Sequence, residues 1–228
     1  MAKTFQLSEF RTEVRNRGEY RSPYISDTEL NNYINASISH LYDILVDQDP
    51  SRYLTQSNIS VVSGTESYAL PATFYKAVSV NIPHSSSPTG FVLARRINWQ
   101  ERHSFITNVP SSKESTFYAI RGGSIYFWPI PTWTDTVQLE HIPAYTTLAL
   151  DADTFDGVNG WEEWIISDVL VKCAAKADDN GAVWERQRAN VENRIRAAGD
   201  IDQARPKTVS NVNIYGGYLG YLRYRLRD

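Results

Sequence analysis

Residues 26–50 read SDTELNNYINASISHLYDILVDQDP. Leu30, Ile34, Ile38, Leu41 and Leu45 recur at three- and four-residue intervals, so an α-helix would gather them into one apolar stripe. Ser26 and Glu29 stand in the capping-box relation, in which each side chain satisfies a backbone donor at the helix start. Asp49-Pro50 is the stop, because proline carries no N–H to continue the ladder. The spacing predicts a helix over 27–47. A stripe this long has to be covered by something apolar.

Both ends of the chain offer such cover. Upstream, Leu7, Phe10 and Val14 have helical spacing, and Gly18 with Pro23 closes that short helix. Downstream, Trp161, Trp164, Ile165, Val169, Lys172 and Cys173 fall near one helical face, with Glu162 and Glu163 suited to the helix N-terminus. Asn180-Gly181 breaks the chain. Trp184, Arg188, Val191 and Ile195 then mark a last helix that Gly199 is expected to end. The economical arrangement packs the terminal helices together.

Between them, residues 57–146 read as strands. Asn58–Val62 leads into the turn Ser63-Gly64; Ser67–Leu70 ends at Pro71; Lys76–Ile82 is rich in β-branched residues and precedes a polar loop, His84–Gly90. Phe117–Ile120 and Ser124–Trp128 flank Gly122-Gly123, a strong hairpin signal, and Thr136–His141 is a further alternating strand. The expected class is therefore α+β: a helical bundle from N- and C-terminal helices, an inserted antiparallel β-rich domain of sandwich or barrel-like form, and an extended C-terminal arm. The divisions are 1–56, 57–150, 151–205 and 206–228.

Composition narrows the function. The chain has 228 residues, 42% hydrophobic and 21% charged, ordinary for a globular protein able to bury a core. Its net charge of −3 gives no overall drive toward nucleic acid or anionic membrane. From Pro206 onward the balance is +3, which leaves −6 for the preceding residues: a basic arm on an acidic body. A single cysteine, Cys173, precludes an intrachain disulfide or a zinc–cysteine cluster, and it falls on an apolar helical face suited to packing. No apolar run approaches bilayer length, and Met1–Gln6 leads into a polar helix pattern, not a signal-peptide core. The expectation is a protein that stays where it is made or leaves by lysis.

The arm is distinctive. Tyr215, Tyr218, Tyr221 and Tyr224 recur every third residue among Gly216, Gly217 and Gly220, and Arg223, Arg225 and Arg227 close the run. Leu222, Tyr224 and Leu226 alternate with those arginines, giving an extended segment two unlike faces. Such a segment suits addition to a partner's sheet edge or an intersubunit groove. Two other readings are a strand docked on the chain's own β zone, and nucleic-acid binding through stacked tyrosines and arginines.

Few residues suggest catalysis or metal binding. Asp151, Asp153 and Glu162 occupy the first, third and twelfth places of a calcium loop, but Phe155 fills the fifth and Asp156 replaces the sixth-place glycine. A polar turn capping the next helix is the expected role. His40, His84, His103 and His141 show no ligand spacing, and neither a nucleophile elbow nor a phosphate loop is present. Neither cofactor nor metal is expected. Trp99, Trp128 and Trp133 raise an alternative, a carbohydrate-binding β module of the kind a receptor-binding protein carries. A glycosidase would need two carboxylates facing across a cleft.

Thr28-Glu29-Leu30-Asn31-Asn32-Tyr33-Ile34-Asn35 continuing through Leu41-Tyr42-Asp43-Ile44-Leu45, then Gly64-Thr65-Glu66-Ser67-Tyr68-Ala69-Leu70-Pro71, then Gly160-Trp161-Glu162-Glu163-Trp164, resembles the head-to-tail adaptor (head-completion or connector) proteins of tailed bacteriophages. The likeness lies in the order of elements over roughly residues 5–205. It implies a non-enzymatic virion protein made in the host cytoplasm. It also implies a ring, usually of twelve copies, between the portal protein and a tail nozzle, hub or stopper protein. Neighbouring helices would surround a channel through which DNA passes without specific binding. A C-terminal arm often grips the portal, which assigns Tyr215, Tyr218, Tyr221, Arg223, Tyr224, Arg225 and Arg227 to contacts with the portal or a neighbouring subunit.

Overall fold

The computed structural model describes residues 4–19, 24–87, 89–104, 110–156 and 160–202. Within them the fold is α+β, with helices at both ends of the chain and largely antiparallel sheets between. The helices are α1 (Leu7–Gly18), α2 (Asp27–Gln48), α3 (Glu162–Ala177) and α4 (Ala182–Asp202). Leu7, Phe10 and Val14 of α1 meet the full stripe of α2, Trp164, Ile165, Val169, Leu170 and Cys173 of α3, and Val191 and Ile195 of α4 in one buried core. Each fully buried aliphatic side chain contributes about 1.5–3 kcal/mol of transfer free energy, so this shared core decides which helices associate.

Helix ends depart from the sequence reading in two places. Ser26 Oγ accepts from Glu29 N (3.2 Å), but the Glu29 carboxylate does not complete the box. It accepts instead from the Tyr33 hydroxyl (2.9 Å) and from Lys176 of α3, because a cation on the neighbouring helix outcompetes a local amide. Gly199 does not end α4, which runs to Asp202. A glycine inside a helix costs only about 1 kcal/mol, so it marks an end only when the backbone there turns left-handed.

The central zone holds two four-stranded sheets that share a core. One has the order β2 (Thr55–Val61), β9 (Asp135–Pro143), β4 (Phe74–Pro83), β5 (Phe91–Leu93). The other runs β3 (Ser67–Ala69), β8 (Ser124–Trp128), β7 (Phe117–Arg121), β6 (Arg95–Arg96). Ile59, Val61, Val80, Ile82, Val137 and Leu139 from the first sheet face Tyr118, Ile125 and Phe127 from the second. Gly122 and Gly123 take φ of 58° and 78° between β7 and β8, the left-handed pair that a two-residue hairpin requires.

One pairing is not antiparallel. β6 runs parallel to β7, with Arg95 opposite Phe117 and Arg96 opposite Tyr118. The chain leaves β5 in one sheet, passes Ala94, and enters β6 in the other without reversing. Ala94 N still donates to Val80 O (2.8 Å), while Ile97 N already donates to Tyr118 O (2.9 Å). Neither β5 nor β6 is legible in the sequence, since segments this short carry no measurable alternation.

A small sheet joins the segment before α1 to the segment before α3. β1 (Thr4–Gln6) pairs antiparallel with β10 (Thr154–Asp156), Phe5 opposite Phe155, and both rings enter the helical core. Sequence reading placed no strand in either segment.

Candidate functional site

The polar groups of the helical half are largely engaged with one another. Asp168 of α3 is buried; its Oδ1 accepts from Arg188 of α4 (2.7 Å) and its Oδ2 from Lys172 (2.8 Å), with Ser37 Oγ of α2 also 2.7 Å from Oδ2. Burial pushes this carboxyl up, but the bonds from Lys172, Arg188 and Ser37 outweigh it and hold the group below its ordinary value. Glu163 accepts from Arg17 of α1 and Gln187 of α4. Three helix crossings are thus pinned by carboxylates of α2 and α3. Asp168 is held by three donors from three helices and Glu163 by donors from α1 and α4, so the cluster is built as a clamp between helices. Sequence reading noted Lys172 and Arg188 but missed Asp168. Its signal was available: an acid four residues before a lysine on an otherwise apolar stripe.

Cys173 is fully buried in the same core, and burial pushes its thiol up to about 11. A thiol so raised is not a nucleophile at neutral pH, which agrees with packing.

The chain returns from sandwich to helices along Asn35. Its carboxamide accepts from Tyr145 Oη (2.7 Å) and Leu148 N (2.8 Å) and donates to Leu148 O (2.9 Å). Burial pushes the Tyr145 phenol up to about 12, so it remains a donor. Tyr42 donates to Pro143 O (2.8 Å), and Tyr42 and Val46 pack on Ile142 at the end of β9. Residues on one face of α2 therefore hold the last strand of the sandwich.

The acidic turn does not cap the next helix. Asp153 accepts from Leu150 N (2.8 Å) and Ala149 N (2.7 Å), and those amides hold its carboxyl below the ordinary value. The backbone carbonyls of Asp153 and Asp151 accept from Leu7 N (3.0 Å) and Ser8 N (3.2 Å), the unpaired donors at the start of α1. Arg11 of α1 pairs with the Asp151 carboxylate. The turn anchors the start of α1, and Trp161, the N-cap of α3, makes no side-chain cap bond.

The three tryptophans do not make a platform. Trp128 is 0% exposed and donates to Glu66 (2.9 Å), whereas Trp133 packs against the shared core of the sheets. Trp99 lies half-buried on the outer side of the second sheet, edge-on to Tyr126 (4.8 Å) and Trp128 (5.3 Å). The Arg102 and Arg121 guanidiniums lie over its ring at 4.6 and 4.7 Å from the centroid. A sugar face would compete with both cations for the same indole.

The histidines are dispersed. His40 lies edge-on to Trp164, His141 is buried against Phe74, and His84 Nδ1 accepts from Ser86 N (3.0 Å). Among the described residues no group of three His, Cys, Asp or Glu side chains is placed to hold a metal ion, and no helix is long and apolar enough to cross a membrane. The arm residues from Tyr215 to Arg227 lie outside the described residues.

A family model described as SU10 adaptor protein matches residues 5–214 of the chain, which spans both helical segments and the sandwich. No curated protein matches it.

Proposed function

The chain belongs to the SU10 adaptor protein family, and on that premise we propose that it joins the portal of a tailed phage to its tail. In this reading it is a non-enzymatic virion protein whose copies, twelve in the usual adaptor ring, continue the DNA channel. The observation that carries the reading is the family match over residues 5–214. The interhelical clamp at Asp168 and the raised Cys173 thiol agree with it, since both suit a rigid part better than a reaction centre.

The bundle of terminal helices, within 1–56 and 151–205, forms the body of the ring, and 57–150 is the inserted unit. Residues 206–228 grip the portal or a neighbouring subunit through Tyr215, Tyr218, Tyr221, Tyr224, Arg223, Arg225 and Arg227. The guanidinium forks suit carboxylates on that partner. A tail nozzle, hub or stopper protein binds the opposite side.

Mass measurement of particles reconstituted with the portal protein tests the proposal. A stoichiometric ring is expected; a chain that ignores portal and binds glycans would replace it with the carbohydrate reading. Deleting Tyr215–Asp228 is expected to leave the body folded and abolish portal attachment. An unfolded deletion variant would show instead that the arm docks on its own chain.

A further inference from the structure

The second sheet carries a basic surface with no internal counter-charge. Arg95 and Arg96 on the edge strand β6 are exposed, as is Arg121 at the end of β7. Arg102 and Arg121 are held over Trp99, which orients two guanidiniums and leaves the N–H groups that Arg102 does not give to Trp99 O, and those of Arg121, free to bind carboxylate. Among the described residues none of these four arginines is in an ion pair; Arg102 alone makes a hydrogen bond, to Trp99 O (2.8 Å). The nearest acids in sequence form no ion pair with them: Glu101 accepts from Asn98 (3.5 Å) and Glu114 from Ser85 N (3.1 Å). Arginine beside half-buried tryptophan is the composition of an interface centre.

The other half of the molecule carries its complement. The turn between α3 and α4 exposes Asp178 and Asp179, and the first turn of α4 exposes Glu185, none in an ion pair, with Arg186 an unpaired cation beside them. Two apolar side chains stand at the same place. Val183 is 68% exposed, and Tyr24, 50% exposed, is held there by its hydroxyl bond to Lys176 O (2.7 Å). Glu29, Glu163 and Asp168 take cations from other helices; the acids of this turn do not.

We propose that the Arg95/Arg96/Trp99/Arg102/Arg121 surface of one copy docks on the acidic α3–α4 turn of a second copy. Within the chain neither set reaches the other, so the charges are neutralised between subunits. The two surfaces differ, which makes the contact head-to-tail and lets repeated contacts close a ring. This rests on the ring reading above, and adds which faces meet. Nucleic acid is the weaker fit, because the rest of the described surface supplies no second basic track and the chain is acidic overall.

Charge reversal with rescue tests it. One variant carries Arg102→Glu and Arg121→Glu; the other carries Asp179→Lys and Glu185→Lys. Full-length proteins are mixed with portal protein and ring mass is read by native mass spectrometry. Each variant alone faces like charge at every contact and is expected to lose assembly by about tenfold or more. In an equimolar mixture each acidic surface faces a basic one, and rings alternating the two variants are expected. Normal assembly of either variant alone, or failure of the mixture to recover, overturns the proposal while wild-type rings leave the adaptor reading intact. Wild-type protein that forms no ring removes both. Wild-type retention of duplex DNA that is lost only in the arginine variant reassigns the patch to phosphate.

Discussion

The helical half and the sandwich satisfy their polar and apolar groups in opposite ways. In the helices, Glu29, Glu163 and Asp168 each take a cation from another helix, and their aliphatic stripes close on one core. In the sandwich, Lys113 and Asp135 form an ion pair, but the arginines around Trp99 stay unpaired. Its strands also leave Tyr75, Val78, Phe91 and Leu93 exposed, the last at 67%. The helices use most of their cations inside the chain and leave free surface chiefly at the α3–α4 turn, whereas the sandwich leaves a cluster of arginines and several apolar side chains uncovered.

Truncating the core on each side should break this contrast most severely. Trp164→Ala in the helical core and Trp128→Ala in the sandwich are each expected to cost about 3–5 kcal/mol in denaturant unfolding. Loss of the sandwich signal alone in the second variant would show that the halves unfold separately despite the Tyr42–Ile142 junction.

Asp168→Ala comes next. It strips the partner from Lys172 and Arg188, and because both cations are about one-third exposed the expected cost is about 2 kcal/mol, below that of a fully buried pair. The pH dependence follows from the same group. Its folded value lies below the ordinary 3.8, so the stabilisation is present above 3.8 and lost as pH falls through the folded value. Wild-type melting temperature should therefore fall in acid more steeply than that of the Asp168→Asn variant. Equal slopes would remove Asp168 from the account.

Gly123→Ala, at φ 78°, is expected to cost about 1–2 kcal/mol although the added methyl meets nothing within 4 Å. The loss would be one of backbone conformation, local to the β7–β8 hairpin. Smallest of all, Leu93→Ser should change stability by less than about 0.5 kcal/mol, since so exposed a side chain buries little in the isolated protein. A larger loss would mean that Leu93 is covered, which would blunt the distinction between the halves.

Much of this was readable in advance, for identifiable reasons. The stripes of α1, α2 and α3 and the Gly122-Gly123 turn are local patterns, and local periodicity carries over into structure. Trp99, Trp128 and Trp133 were equivalent as letters, yet one is sealed against Tyr126, one is in the shared core, and one is clasped by two arginines. Asp151 and Asp153 looked like caps for the following helix. They serve the preceding end of the chain, because the amides of Leu7 and Ser8, far away in sequence, had no other acceptor.

By itself, the sequence determined that helices bracket a strand-rich middle, since hydrophobic spacing and left-handed glycines act over a few residues. Only the tertiary structure decided that β1 closes on β10, that the chain changes sheets at Ala94, that Asp168 gathers Lys172 and Arg188, and that the arginines around Trp99 are left without partners. Those outcomes depend on which groups lose water together, and that is set by the packing of segments distant in the chain.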